Sequence, residues 1–304
     1  MEYYLAPLIG FCAMLAGGFW GLGGGWFVVP ALLTLGIDNA VAVGASLLQM
    51  LPSTFLTVLK QFKSIGWTKN SWGINVALPM CGMAFIGGFF GRPVGVFIQN
   101  IFDSRKPHQC IYIALLGFIL YKTFTHKPRK SSGESLIPVS SPVETGSVGF
   151  LVGVLSSLLG IGGGTITRPV MKNYLHVPEI FTGKIARLAV FTTALSGTAS
   201  YLLQIETFKP GDPGTDSLIL GLLIASGGFI GFPLGAWLHG KVVASGHDEK
   251  AAHSFSYVLI LVILSLSFKI IDQTKISQII ILICGVFLIS FLTIFTNWCQ
   301  KNKI

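Results

Sequence analysis

Five basic residues are conspicuous for where they sit: Arg92, Arg168, Lys172, Lys184 and Arg187. Each lies in or beside an apolar stretch. No acid lies in the apolar part of those segments, and Glu179, in the turn "HVPEI", is the nearest. A cation held in hydrocarbon costs at least ~3 kcal/mol and by default marks a function. Lys184 and Arg187 are three residues apart, so they share a helix face, with Thr198 further along it. Unneutralised cations of this kind suit an anion, and the planar guanidinium fork suits an oxyanion. Other readings stand beside this one. Lys172 and Lys184 flank a short turn and read equally well as side chains snorkelling to an interface. Arg92, next to Gly91 and Pro93, reads equally well as a site residue or an interface anchor.

Two glycine runs accompany these charges. "GLGGG" occupies residues 21–25 and "GIGGG" residues 160–164, and a proline follows each five residues later, Pro30 and Pro169. Each helical glycine costs roughly 1 kcal/mol against alanine, so three in a row should unwind a helix. The proline removes a further backbone donor. Unwound backbone at membrane depth persists only where protein or a watery cavity covers it. It exposes free N–H groups and the positive end of the restarting helix, both of which attract anions. Missing β-carbons let a ligand come close. The opposing reading is tight packing of helices through small residues, and it is the favoured one for "GGFFG" (87–91) taken alone. The expected substrate contacts are Gly23, Gly24, Gly25, Gly162, Gly163, Gly164, Thr165, Arg168, Lys184 and Arg187. A polar stripe, Ser46, Gln49, Ser53, Thr57 and Lys60, runs in steps of three and four along one helix. It adds Gln49 and Ser53, and the counterpart of Ser53 in the second half adds Thr192.

The elements that must position these groups follow from composition. Of 304 residues, 52% are hydrophobic and only 11% charged, with a mean hydropathy of +0.71. Soluble domains carry about twice that charge fraction, so part of the solvent here is lipid. Apolar windows of bilayer length, about 20 residues, recur along the chain. Residue n aligns with residue n+139: Gly21 and Gly23–Gly25 fall on Gly160 and Gly162–Gly164, Pro30 on Pro169, and Ser53, Thr54 and Thr57 on Thr192, Thr193 and Ser196. With one more residue of offset, "GGFFGRPVG" falls on "GGFIGFPLG". The expected organisation is an all-α polytopic membrane protein with two homologous repeats, 1–125 and 147–270. A cytoplasmic linker, 126–146, joins them, and an extra C-terminal helix occupies 271–304. Each repeat holds a Gly-broken segment (5–36; 147–176), a polar-striped helix (40–62; 181–204), a Gly/Pro-interrupted helix (73–99; 217–240) and a plain apolar helix (109–125; 252–270). Repeats with interrupted helices at matching places are a mark of secondary transporters. If the broken segments are re-entrant, the repeats are inverted; if they cross once, the repeats run parallel. The distribution of loop Lys and Arg favours the inverted arrangement.

Composition also excludes. The net charge of +9 sits mostly in short loops, which is the positive-inside bias, so no nucleic-acid partner is expected. Cys12, Cys81, Cys110, Cys284 and Cys299 are scattered and read as small core residues. There is no zinc spacing, no nucleophile–base set and no carboxylate pair, so neither an enzyme nor a cofactor is expected. The N-terminus lacks a basic n-region, so a cleaved signal peptide is not expected. A channel is the competing class, though no charged ring or filter is evident. Partners are a small anionic substrate and membrane lipid; the sequence leaves homo-oligomerisation open.

The doubled pattern G-[LI]-G-G-G-x4-P resembles the sulfite exporter TauE/SafE (TSUP) family. It is carried by "GGFWGLGGGWFVVPAL", "SSLLGIGGGTITRPVM" and the paired "GGFFGRPVG"/"GGFIGFPLG". The resemblance spans both halves. It implies an integral transporter, in the prokaryotic cytoplasmic membrane, of small organic or inorganic anions that often contain sulfur: sulfite, sulfonates, thiosulfate. It assigns no binding residue, direction or coupling ion.

Overall fold

The fold was analysed in a computed structural model that describes residues 3–125 except Asn70 and Arg105, 141–203 except His176, 211–245 and 248–301. Every regular element among them is helical. Eleven α-helices follow in order: α1 (Ala6–Trp20), α2 (Gly25–Thr34), α3 (Asn39–Gln61), α4 (Leu78–Phe102), α5 (Lys106–Thr125), α6 (Pro142–Leu159), α7 (Gly164–Asn173), α8 (Glu179–Leu202), α9 (Pro213–Val243), α10 (Asp248–Ile270) and α11 (Thr274–Lys301). Five segments are long and apolar enough to cross a membrane: Asn39–Ile65, Gly73–Phe102, Pro142–Leu159, Pro213–Val243 and Thr274–Lys301. Residues 126–140 of the expected linker lie outside the described residues. Pro142–Gly146, assigned to that linker from the sequence, instead open α6, whose first turn is capped by Ser141 accepting from Val143 N.

Both glycine runs break the helix. α1 ends at Gly21 and α6 at Gly160, each in the left-handed region, at φ of 67° and 69°. The chain then turns back on itself. A β-carbon placed on Gly24 would lie 3.1 Å from the carbonyl carbon of Ala13 and 2.9 Å from Met14 Sδ. One on Gly163 would lie 2.8 Å from Ser156 Oγ and 3.5 Å from Val152 Cγ1. Eleven residues of straight helix span ~16 Å, so neither contact could form without reversal. Both segments therefore double back as helical hairpins. Every residue of α2 is buried, as irregular backbone within an apolar fold requires.

The prolines do less than the sequence suggests. Pro30 and Pro169 sit inside α2 and α7, and Pro93 and Pro233 inside α4 and α9. The "interrupted" helices at 73–99 and 217–240 are thus corrected: α4 and α9 run on through "GGFFGRPVG" and "GGFIGFPLG", with only a wide π-type turn at Gly73–Ala77 ahead of α4. The glycines there serve packing. A β-carbon on Gly227, Gly231 or Gly235 would run into the carbonyl oxygens of Pro7, Phe11 and Leu15 on α1, and one on Gly87 into that of Phe150 on α6. Small residues let backbones approach this closely.

The helices therefore pair across the chain. α1 packs along α9 and α6 along α4; α3 lies on α9 and α4 on α8; α3 and α8 face one another. α11 closes against α10 and reaches α2 and α9, burying Cys284, Leu288 and Leu292.

Candidate functional site

The two hairpins meet. A β-carbon on Gly25 would collide with the carbonyl oxygen of Gly160, and one on Gly164 would lie 2.7 Å from that of Leu22. Helix α2 resumes with Phe27 and Val28 donating to Gly24 O, and α7 with Ile166 and Thr167 donating to Gly163 O. The amides of Gly25, Trp26 and Thr165 are then the first-turn donors that any helix start leaves over. No side chain caps either start. Met50, from α3, lies between the breaks: its Sδ is 3.2 Å from the β-position of Gly23 and also touches that of Gly162. Val190, from α8, packs against Gly23, Gly162 and Gly164.

Two guanidinium groups converge just beside this junction. The β-position of Gly21 lies 3.6 Å from Arg187 Nη2 and 3.8 Å from Arg168 Nη1. Arg168 Nη1 donates to Trp20 O at 2.8 Å. It thereby satisfies a last-turn carbonyl of α1 with a cation at the negative end of that helix. Arg187 Nη1 donates to Gln61 Oε1 at 2.7 Å. Among the described residues Arg187 takes part in no ion pair, and the Lys106–Asp272 pair is exposed and lies elsewhere. A small pocket opens here, lined by Gly21, Gly23, Thr54, Thr57, Arg187, Val190 and Phe232. Thr54 donates to Met50 O at 2.7 Å and Thr57 to Ser53 O at 2.9 Å. These hydroxyl protons are spent on their own helix, as buried threonines commonly spend them. The positive group lining the pocket is therefore the Arg187 guanidinium, with Arg168 beside Gly21 at its edge, and a small anion is the kind of species such groups can hold.

The expected residues distribute as follows. Gly23, Gly24, Gly25, Gly162, Gly163, Gly164, Arg168 and Arg187 lie at the junction of the breaks. Thr165 is buried in the first turn of α7 with no partner for its hydroxyl. Ser53 donates to Met50 O, and Thr192 to Ala189 O. Gln49 is not in the pocket. It is 1% exposed, packs by Gly228, and both atoms of its amide lack partners. Lys184 donates to Ser64 O at 3.1 Å and lies 5.6 Å from the Phe181 ring, so it braces the short turn after α3 rather than the pocket. Lys60 is exposed. The Lys172 side chain lies outside the described residues. Arg92 stacks over the Tyr201 ring at 4.7 Å. Of the cysteines, Cys110 is exposed and the other four are buried. The pocket residues Gly21, Thr54, Val190 and Phe232 were not among the expected contacts, and neither was Gln61, which accepts from Arg187. Gln61 stands four residues after Thr57, so continuing the polar stripe by one turn would have reached it.

The sulfite exporter TauE/SafE family matches residues 6–270. The chain is 22% identical over 266 residues to a protein of Bacillus subtilis described as probable membrane transporter protein YunE, covering 80% of this chain and 90% of that protein. It is 27% identical over 207 residues to probable membrane transporter protein MJ0441 of Methanocaldococcus jannaschii, covering 65% and 72% respectively. No solved structure matches significantly. With the doubled glycine break, the apolar spans and a match across nearly its whole length, this chain belongs to the sulfite exporter TauE/SafE family of membrane transporters.

Proposed function

We propose that this chain is a secondary transporter. It carries a small, sulfur-containing oxyanion or organosulfonate (sulfite, thiosulfate or a sulfoacetate-like compound) across the cytoplasmic membrane of a prokaryotic cell. The observation that carries this reading is the convergence of Arg168 and Arg187 on Gly21, beside two uncapped helix starts. In this reading the anion sits on Arg187, whose guanidinium spends one described hydrogen bond on Gln61. Arg168, anchored on Trp20, supplies the second positive charge. The amides at the breaks complete the shell. Met50 and Val190 close the way past the junction. Rocking of the packed helices, with the hairpins as the fixed centre, alternates access. No catalytic step is part of this reading.

The test is thermal stabilisation of the purified protein by sulfite, thiosulfate, sulfate, sulfoacetate, taurine and simple carboxylates. One of the sulfur oxyanions or sulfonates should raise the melting temperature in a saturable way, and Arg187→Gln should abolish the rise while the protein still inserts and folds. A full response in Arg187→Gln would remove that residue from the site. A response confined to carboxylates would replace the sulfur-bearing substrate.

A further inference from the structure

We propose that the second glycine break holds a dehydrated monovalent cation of sodium size, bound by Ser156 Oγ, Thr193 Oγ1 and the carbonyl oxygen of Gly162. Three observations converge there. Ser156 is fully buried, and its hydroxyl has no partner. That oxygen lies 2.8 Å, and Thr193 Oγ1 3.5 Å, from the point where a β-carbon on Gly163 would stand. Thr193 donates its proton to Ala189 O at 2.9 Å, yet its oxygen also lies 3.5 Å from Gly162 O. With its proton on the nearer carbonyls of Ala189 and Val190, at 2.9 and 3.1 Å, Thr193 keeps lone pairs for a cation. Gly162 O, which accepts from Gly164 N, has a second lone pair to offer. Three oxygens with lone pairs to spare, gathered inside a buried break, can hold a small cation.

The first break carries a cation of its own. There the last-turn carbonyl of Trp20 receives the Arg168 guanidinium. By the n+139 alignment, Arg168 corresponds to Val29, and Val29 puts a methyl group against Gly160. Ser156 in turn corresponds to Gly17. The first half thus holds a covalent cation beside its break, and the second would take one from solution three residues further along, at Gly162 O, the counterpart of Gly23 O, on the kind of unwound carbonyl where coupling ions are held in such folds. The two sites would also communicate. Arg187 and Thr193 are six residues apart on α8, about 9 Å along its axis. An anion neutralising Arg187 favours the cation, and the cation in turn favours the anion.

The test uses the full-length protein in detergent, melted in sodium chloride and in choline chloride at equal concentration. Sodium should raise the melting temperature, and Ser156→Ala should abolish the rise. Removing an unpartnered hydroxyl breaks no hydrogen bond, so that variant should fold. Thr193→Val should also abolish the rise, and Thr193→Ser should restore it. Arg187→Gln should keep the sodium response and show it at several-fold lower sodium. Superimposable melts in the two salts, or an undiminished sodium rise in Ser156→Ala, would overturn the cation site. The anion response in choline buffer is a separate readout. If it survives while the sodium rise is absent, the transporter reading stands and only the cation site falls.

Discussion

The two glycine breaks share a backbone plan and differ in chemistry. Gly21 and Gly160 match in φ (67° and 69°), as do Gly23 and Gly162 (77° and 76°), but Gly24 is right-handed at −93° where Gly163 is left-handed at 75°. Around Gly24 the neighbours are Ala13 and Met14; around Gly163 they are Ser156, Thr193 and Val152. The first break meets an arginine at its helix end. The second meets hydroxyl groups. Similar turns can thus be made for opposite charges, and the ligand preference of a broken helix is set by the side chains its neighbours send in, not by the break itself.

The contact between the breaks is the most vulnerable part of this comparison. Gly25→Ala should cost ~3 kcal/mol or more, because the added carbon meets main chain that cannot rotate away. A loss of monodisperse protein or a large fall in melting temperature is expected; a variant that melts like its parent would mean the hairpins do not touch. Next in size is the contrast between the arginines. Arg168→Gln strands Trp20 O and should cost ~1–3 kcal/mol. Arg187→Gln, measured without anion, should melt at or above the parent temperature, because it relieves the approach of two like charges. Equal losses in both variants would make Arg187 structural. Smaller still is Gln49→Met. It replaces a buried, unpartnered amide with an apolar chain and should raise stability by ~1 kcal/mol; loss of the anion response in that variant would return Gln49 to the site. Lys106→Ala, in an exposed pair, should change the melting temperature by an amount too small to resolve.

Much of this was legible in the residues. Three glycines in four positions announce a break in any sequence, since no side chain can compensate the backbone cost. Arginines set within an apolar chain announce a site. The prolines misled for a physical reason. A proline is costly in an isolated helix, but in α2, α4, α7 and α9 packing by neighbouring helices outweighs it. The polar stripe on α3 pointed to Gln49, but the residue beside it, about 100° round the helix, is the one at the junction: Met50 lies between the breaks. Lys184 and Arg187 share a face yet part company because Lys184 is long enough to reach Ser64 O at the turn. The partners of α1 and α6 were not legible, because the glycine seam names a close neighbour without saying which one.

That seam has a consequence for how the protein is made. The furrow of α9 that receives α1 is synthesised about 200 residues after α1 itself. At ~5–20 residues per second, α1 waits roughly 10–40 s for the surface it was shaped to fit. During that interval the early hairpin must be held in the bilayer or by the insertion machinery with its small-residue face unmatched. Slower translation across residues 35–212, which include neither partner of that seam, is expected to lengthen that interval and lower the yield, and expression with slowed codons there would check it.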